Sequence, residues 1–82
     1  MQQFKTIGYE RCKMVYNDTT YELCIGTVKC LDTGELKYSG LIYKLTPLGA
    51  IEGKALFGTK ADTKSDCIRQ VFAAYNKIVA AV

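Results

Sequence analysis

Histidine and tryptophan are absent from the chain, and proline occurs once among its 82 residues. Without histidine, the usual general acid–base group near neutral pH is missing, so catalysis would depend on carboxylates or lysines with strongly shifted pKa values. Most of the eight acidic residues lie next to predicted turns or at the start of a predicted helix, where a structural role is sufficient. We therefore predict that the protein is not an enzyme and that it needs no cofactor.

Long apolar segments are also missing. No segment approaches the roughly 18 consecutive apolar residues of a membrane-spanning helix, and residues 1–6 lack the basic start and apolar stretch of a secretory signal. We therefore expect a cytoplasmic protein that does not enter a membrane. Eleven basic residues against eight acidic ones give a net charge of +3, which is too small to indicate a nucleic-acid-binding protein by itself.

Four cysteines are present, Cys12, Cys24, Cys30 and Cys67, and no two of them form a Cys-x-x-Cys pair. Structural zinc sites usually take their ligands from closely spaced pairs, and the chain has no histidine to serve as a further ligand. A disulfide framework is typical of secreted chains, for which this sequence shows no signal. We therefore expect no metal site and predict that the thiols are reduced and buried.

Residues 8–45 are rich in Val, Ile, Thr and Tyr and are interrupted by turn residues at regular intervals, which predicts three antiparallel strands. The strands are expected at about 8–16, 20–31 and 35–45. The first loop is predicted at 17–19, since Asn and Asp favour turns. The second is predicted as a three-residue hairpin loop, Asp32 to Gly34, with the glycine in the left-handed region. Residues 50–57 are a candidate for a short fourth strand at the sheet edge.

Past Gly58 the apolar residues recur at steps of three and four, which is typical of one face of a helix. Thr63 is the candidate N-cap, with Asp66 three positions later to complement the helix dipole. These features predict a helix over about 63–81. Because a lone sheet needs a helix to cover one of its faces, we predict a single α+β domain over 1–82. Its architecture is a three- to four-stranded antiparallel meander covered on one face by the C-terminal helix, βββ(β)α.

The two predicted loops set the strand register and so assign every residue to a face. Tyr16 is expected opposite Thr20, and Leu31 opposite Glu35. The nearly uncharged face that results, expected under the helix, contains Cys12, Met14, Cys24, Val28, Cys30, Leu36, Tyr38 and Ile42. Gly26 and Gly40 are expected opposite each other there, where the helix backbone approaches closely. The same register places Cys12 opposite Cys24, near enough for a disulfide, although free thiols are expected.

The second predicted face mixes aromatic, aliphatic and basic residues: Tyr9, Arg11, Lys13, Val15, Tyr21, Leu23, Ile25, Lys29, Lys37, Leu41, Tyr43 and Leu45. One helix cannot cover both sides of the sheet, and a large apolar patch rarely stays in contact with water. The residues predicted to bind a partner are Tyr9, Arg11, Lys13, Tyr21, Leu23, Lys29, Lys37 and Tyr43. Two alternatives are that residues 50–57 fold over this face, and that a bulge at Gly26 rearranges the sides.

Another protein is the expected partner, because tyrosine and arginine are enriched at protein interfaces. The role would be that of a small inhibitor or regulator, of the kind made by phages and mobile elements, and a homodimer through the same face is a further hypothesis. The alternative is a nucleic acid, with bases stacked on the tyrosines and phosphates held by the basic residues. The neighbouring acids Glu10, Glu22 and Glu35 argue against that alternative.

Overall fold

A computed structural model describes residues 3–82. These residues form four antiparallel strands and one helix. In chain order the elements are β1 (Phe4–Tyr16), β2 (Thr19–Cys30), β3 (Leu36–Leu45), β4 (Phe57–Ala61) and α1 (Lys64–Ala80). The strands pair in the same order, as an open meander. The predicted α+β class, with a C-terminal helix on one face of the sheet, is confirmed. The first two residues of the predicted domain lie outside the described residues.

Two strand positions differ from the prediction. The first strand begins at Phe4 rather than near Gly8, and the fourth spans Phe57–Ala61 rather than residues 50–57. Between β3 and β4 the chain follows the outer edge of β3, where Leu45 bridges to Ile51. The alternative in which residues 50–57 fold over the second face of the sheet is therefore wrong.

The helix α1 begins where its sequence predicts. Thr63 is the N-cap, and its hydroxyl accepts a hydrogen bond from the Asp66 amide at 3.2 Å. The Asp66 carboxylate accepts a hydrogen bond from Arg69 at 3.0 Å, and this ion pair, followed by a hydrogen bond of the same carboxylate with the Thr63 side chain, holds the pKa of Asp66 below its usual value. The buried residues of the helix recur at every fourth position: Cys67, Val71 and Tyr75.

The core lies between α1 and the side of the sheet that it covers, called here the helix face. Leu23 of β2 and Ile42 of β3 are cross-strand partners and are 3% and 0% exposed. Val71 is buried in the same cluster, and the rings of Tyr21 and Tyr75 meet edge to face at 5.8 Å between centroids. The partly buried residues packed around this cluster are Met14, Ile25, Phe57, Ala74, Ile78 and Val79.

The turn between β1 and β2 is shorter than predicted. It contains only Asn17 and Asp18, with φ of 47° and 62°, so Tyr16 pairs with Thr19. Two consecutive left-handed residues are typical of a type I′ hairpin, and Asn and Asp tolerate that conformation better than other non-glycine residues. The predicted pairing of Tyr16 with Thr20 is therefore wrong by one residue.

The loop between β2 and β3 is longer than predicted. It spans residues 31–34, because the Cys30 amide donates to the Glu35 carbonyl at 2.8 Å and closes the strands one position earlier. Gly34 has φ of 77°, so the predicted left-handed glycine is confirmed, but the predicted pairing of Leu31 with Glu35 is wrong. The two register errors turn β2 over, whereas β1 and β3 keep their predicted faces.

The reversal of β2 changes which of the predicted residues lie on the helix face. Those on β1 and β3 are placed as predicted: Cys12, Met14, Leu36, Tyr38 and Ile42. Those on β2 lie on the opposite face instead: Cys24, Val28 and Cys30. Gly40 does lie under α1, where a Cβ would come within 2.3 Å of Val71 Cγ2, but Gly26 is on the other side and pairs with Ser39.

The first two strands extend well beyond the part of the sheet that α1 covers. β1 and β2 have 13 and 12 residues, against 5 in β4, and α1 packs chiefly on β3 and β4. The register of β1 shifts between Thr6 and Gly8, so the alternative of a bulge at Gly26 is wrong. The radius of gyration is 13.9 Å, against about 12 Å for a compact domain of this length. Within residues 3–82, no helix has the length and apolarity needed to cross a membrane.

Candidate interface on the open face of the sheet

The side of the sheet opposite α1, called here the open face, receives side chains from all four strands. The pairing assigns them, because Cα partners in neighbouring strands lie on the same face. The polar and charged residues of the open face are Thr6, Arg11, Lys13, Thr20, Glu22, Lys37, Ser39 and Lys60. The aromatic and apolar ones are Phe4, Tyr9, Val15, Cys24, Val28, Cys30, Leu41, Tyr43 and Leu45.

Five of the predicted partner-binding residues lie on the open face: Tyr9, Arg11, Lys13, Lys37 and Tyr43. The other three do not, because β2 is turned over. Tyr21 and Leu23 belong to the core and are 4% and 3% exposed, so their predicted place on the open face is wrong. Lys29 is exposed, but its pairing with Leu36 places it on the helix face.

Tyr9 is one of two half-exposed aromatic residues of β1 on this face, the other being Phe4. It is 51% exposed, and the guanidinium carbon of Arg11 lies 5.4 Å from the centre of its ring. This distance allows a cation–π interaction, which restricts both side chains. Tyr9 and Arg11 therefore form a partly ordered aromatic–cationic pair at the surface.

Next to this pair, β2 places a buried thiol and a nearly buried carboxylate. Cys24 is 1% exposed, and its Sγ donates a hydrogen bond to Oε1 of Glu22 at 3.5 Å. Burial raises the pKa of the Cys24 thiol above its ordinary value, which keeps the thiol neutral near pH 7. Arg11 Nη1 lies 4.0 Å from Glu22 Oε1, so Arg11 also balances the charge of this carboxylate.

The Cys24 thiol also affects the phenol of Tyr9. A hydrogen bond with Cys24, and then burial, raises the pKa of Tyr9 from its ordinary 10.0 to about 12. The ring of Tyr9 lies against β2, where its Cδ2 would be 3.6 Å from a Cβ at Gly26.

This hydrogen bond can be tested by titration. In a spectrophotometric titration with rapid pH jumps, we expect one phenol to ionise near pH 12, and the Cys24→Ala variant to shift that transition back toward 10. Because the folded-state pKa is raised, the bond stabilises the fold fully below about pH 10 and loses its contribution as the pH rises through about 12. Tyr9→Phe should remove the transition, which assigns it. A transition that stays near 12 in Cys24→Ala would contradict the bond.

Charge on the open face is mildly positive. Lys37 Nζ bonds to Asp62 Oδ1 at 2.5 Å, and Arg11 is near Glu22. In the described part of the chain, Lys13 and Lys60 have no carboxylate within 4.0 Å. Of the four basic side chains on this face, two are therefore paired with carboxylates and two are not.

A groove of about 470 Å³ opens at one end of the open face. Phe4, which is 53% exposed, lines it on β1. The residues of the other strands that line it are Val28, Lys37, Tyr38, Ser39, Lys60 and Ala61, with Asp62 after β4. Its volume lies in the range of pockets that bury most of a small ligand, and its lining is mainly apolar with a charged rim.

The predicted site lacks Phe4, Val28 and Lys60, which line this groove. Phe4 was missed because the first strand was predicted to begin near Gly8, and Lys60 because the fourth strand was predicted too early. Val28 was missed because β2 was placed the wrong way round. The signal that would have corrected β2 is the Asn17-Asp18 pair, since two adjacent residues that tolerate the left-handed region favour a two-residue turn.

The cysteines do not form the predicted cross-strand neighbours. Cys12 pairs with Leu23 on the helix face and Cys24 with Arg11 on the open face, so their thiols lie on different sides of the sheet. Cys24, Cys30 and Cys67 are buried and free, as predicted, whereas Cys12 is exposed. Within residues 3–82 there is no group of three or more side chains that could hold a metal ion.

Comparison with known proteins adds nothing to this geometry. No family model, no curated protein and no solved structure matches the chain. The candidate interface therefore rests on the geometry of the open face alone.

Proposed function

We propose that the protein is a non-enzymatic module that binds a partner protein on its open face. The observation that carries the proposal is the arrangement around Tyr9, a half-exposed ring that lies beside Arg11 and against Gly26 of β2, on the side of the sheet opposite α1. Tyrosine and arginine dominate the binding energy of many protein interfaces. Side chains that are already fixed also lose less entropy when a partner binds.

The groove beside Phe4 supports the same proposal. It is continuous with the open face, and its apolar lining can take an apolar side chain of the partner as an anchor. Lys60 at its rim and Lys13 on β1 favour a partner surface with carboxylates around an apolar centre. The partner-binding residues proposed on this basis are Phe4, Tyr9, Arg11, Lys13, Val28, Lys37, Tyr43 and Lys60.

A module of this kind, without chemistry of its own, is suited to acting as an inhibitor or regulator by covering part of its partner. We place that role in the cytoplasm, as the sequence leads us to expect. A second copy of the chain is a partner that the same face could also accept. Light scattering of the purified protein over a range of concentrations distinguishes a homodimer from a monomer that binds a different protein.

The proposal is tested with open-face variants and a matched control. The partner is first captured from a cell extract, identified by mass spectrometry and purified, and its affinity is then measured by calorimetry. We expect Tyr9→Ala and Tyr43→Ala each to weaken binding about 30-fold, the effect of losing a major contact residue. Phe72→Ala is the control, because Phe72 is an exposed aromatic on α1, and it should bind as the unchanged protein does.

The melting temperature of each variant is measured alongside. Tyr9 is half exposed and outside the core cluster, so Tyr9→Ala should unfold within a few degrees of the unchanged protein. Equal loss of binding in Phe72→Ala and Tyr9→Ala would contradict the open face as the binding site. So would full binding by both tyrosine variants.

A nucleic acid is the second candidate, favoured by one observation: four basic side chains, Arg11, Lys13, Lys37 and Lys60, lie on the open face. If all four contacted phosphates, the affinity for a single-stranded oligonucleotide would fall roughly 50-fold between about 50 and 200 mM salt. Two of the four are already paired with carboxylates, which favours the protein partner. Salt-sensitive binding of this size, lost in Tyr9→Ala, would replace the first proposal by the second.

A further inference from the structure

The sheet has two edge strands, and they differ in how they are protected. β1 has a register shift between Thr6 and Gly8 and carries the charged residues Lys5, Glu10, Arg11 and Lys13. Bulges and charges of this kind are the usual means of preventing another strand from pairing with an edge. β4 pairs only with β3 in residues 3–82, has no register shift, and carries Lys60 as its one charged residue.

An apolar groove follows the free edge of β4. Its volume is about 500 Å³, and it lies between β4 and α1. On the strand side it is lined by Leu56, Phe57 and Thr59, and on the helix side by Gln70, Ala73, Ala74, Lys77 and Ile78. The two alanines leave space beside the helix, and Leu56, which is 47% exposed, presents apolar surface at one end.

These two features together point to one kind of ligand. A free strand edge offers backbone donors and acceptors that only another extended backbone can satisfy in series. A groove on one side of that edge accepts every second side chain of such a strand, because side chains alternate between the two faces. A small molecule would use the groove but leave the edge unused.

The charge of the groove indicates which type of side chain the ligand should carry. Lys77 is the one charged residue among those lining it in the described part of the chain, and it has no carboxylate within 4.0 Å there. Only residues 62–63 connect β4 to α1, so the helix returns along the strand and Lys77, in its last turn, lies near Phe57. A carboxylate on the ligand would complement Lys77 at that end.

We propose that the β4 edge is a second docking site, distinct from the open face, which binds an extended segment of a partner protein as a fifth strand. The segment places small apolar side chains in the groove between β4 and α1 and an acidic side chain beside Lys77. An antiparallel segment would carry that acid at its C-terminal end, because β4 begins at Phe57. This site uses none of the residues proposed for the open face except Lys60, whose side chain points to the other side of β4.

The test uses two blocked peptides that differ in one charge, Ac-Val-Thr-Val-Thr-Glu-NH2 and Ac-Val-Thr-Val-Thr-Lys-NH2. Each is titrated into the full chain while backbone amide shifts are recorded by NMR. With the glutamate peptide we expect saturable shifts at Phe57–Ala61 and around Ala73–Ile78, and slower hydrogen exchange at β4. The lysine peptide should bind about fivefold more weakly, the usual size of one partly exposed ion pair.

Two matched variants separate the groove from the helix surface in general. Ala73→Glu introduces a carboxylate into the groove at an exposed position, and Ala80→Glu introduces the same group at an exposed helix position outside it. We expect Ala73→Glu to abolish the shifts and Ala80→Glu to retain them. Tyr9→Ala should bind the peptide normally, which keeps this test independent of the open face.

Several results would overturn the proposal. These are the absence of shifts up to the solubility limit of the peptides, equal binding of both peptides, and equal effects of the two alanine variants. Concentration-dependent shifts at β4 without any peptide would also overturn it, because they would show that a second copy of the chain occupies the edge.

Discussion

Replacing Gly40 by alanine is expected to destabilise the protein by about 3 kcal/mol, at the upper end of the range for overpacked cores. A Cβ at this position would lie 2.3 Å from Val71 Cγ2 and 3.2 Å from Cys67 Sγ, both on α1. Valine is branched at Cβ and has little rotamer freedom in a helix, so the whole helix has to move. Urea unfolding followed by circular dichroism measures the loss.

Two further variants test the cause. Gly58→Ala is the matched control, because its Cβ would meet only Leu41 Cδ2 at 3.3 Å, and that long side chain on the open face can move aside. In the Gly40→Ala background, Val71→Ala should cost much less than it does alone, since it removes the methyl group that clashes. A Gly40→Ala protein as stable as the Gly58→Ala protein would show that α1 does not approach the sheet at this point.

Leu23→Ala is expected to cost about 3 kcal/mol and to lower the melting temperature by roughly 15 °C. Leu23 is 3% exposed and lies in the core cluster with Ile42 and Val71. Removing three of its carbons leaves a cavity between β2 and α1 that the neighbouring side chains can only partly fill. Thermal unfolding followed by circular dichroism gives both quantities.

Leu41→Ala is the matched control for this prediction. Leu41 is the cross-strand partner of Cys24 on the open face, where it is only partly buried, and its truncation should cost about 1 kcal/mol or less. The comparison decides which side of β2 faces the helix. If Leu23→Ala cost as little as Leu41→Ala, Leu23 would lie on the open face, β2 would have the opposite orientation, and the open face would have to be assigned again.

Most of the architecture was predictable because its signals are local. The change from strand-like to helix-like spacing after Gly58 and the capping pair Thr63 and Asp66 locate α1 within a residue. The need of a lone sheet for a helix then determines the layers. Strand ends were less predictable: β1 continues to Phe4, and β4 follows an irregular edge segment whose composition resembles that of a strand.

Prediction of the candidate site depended on the strand register, which local sequence signals specify less well than they specify the helix. A change of one residue in a hairpin loop exchanges the two faces of a strand, so the two loop errors turned β2 over. For this reason Tyr21 and Leu23 were predicted at the interface although they form the core. The faces of β1 and β3 were predicted correctly relative to each other, because the one-residue errors before and after β2 cancel. The groove beside Phe4 could not be predicted, because its lining comes from all four strands and depends on the bounds of β1 and β4 and on the orientation of β2.

The exposure of β1 has a consequence for how this protein can change over generations. Apart from Gly8 and Met14, every residue of the strand is exposed, so its side chains can be replaced with little loss of stability. Gly40 and Leu23, in contrast, allow few replacements. Under the proposed function, selection can therefore alter specificity through β1 without compensating changes in the core.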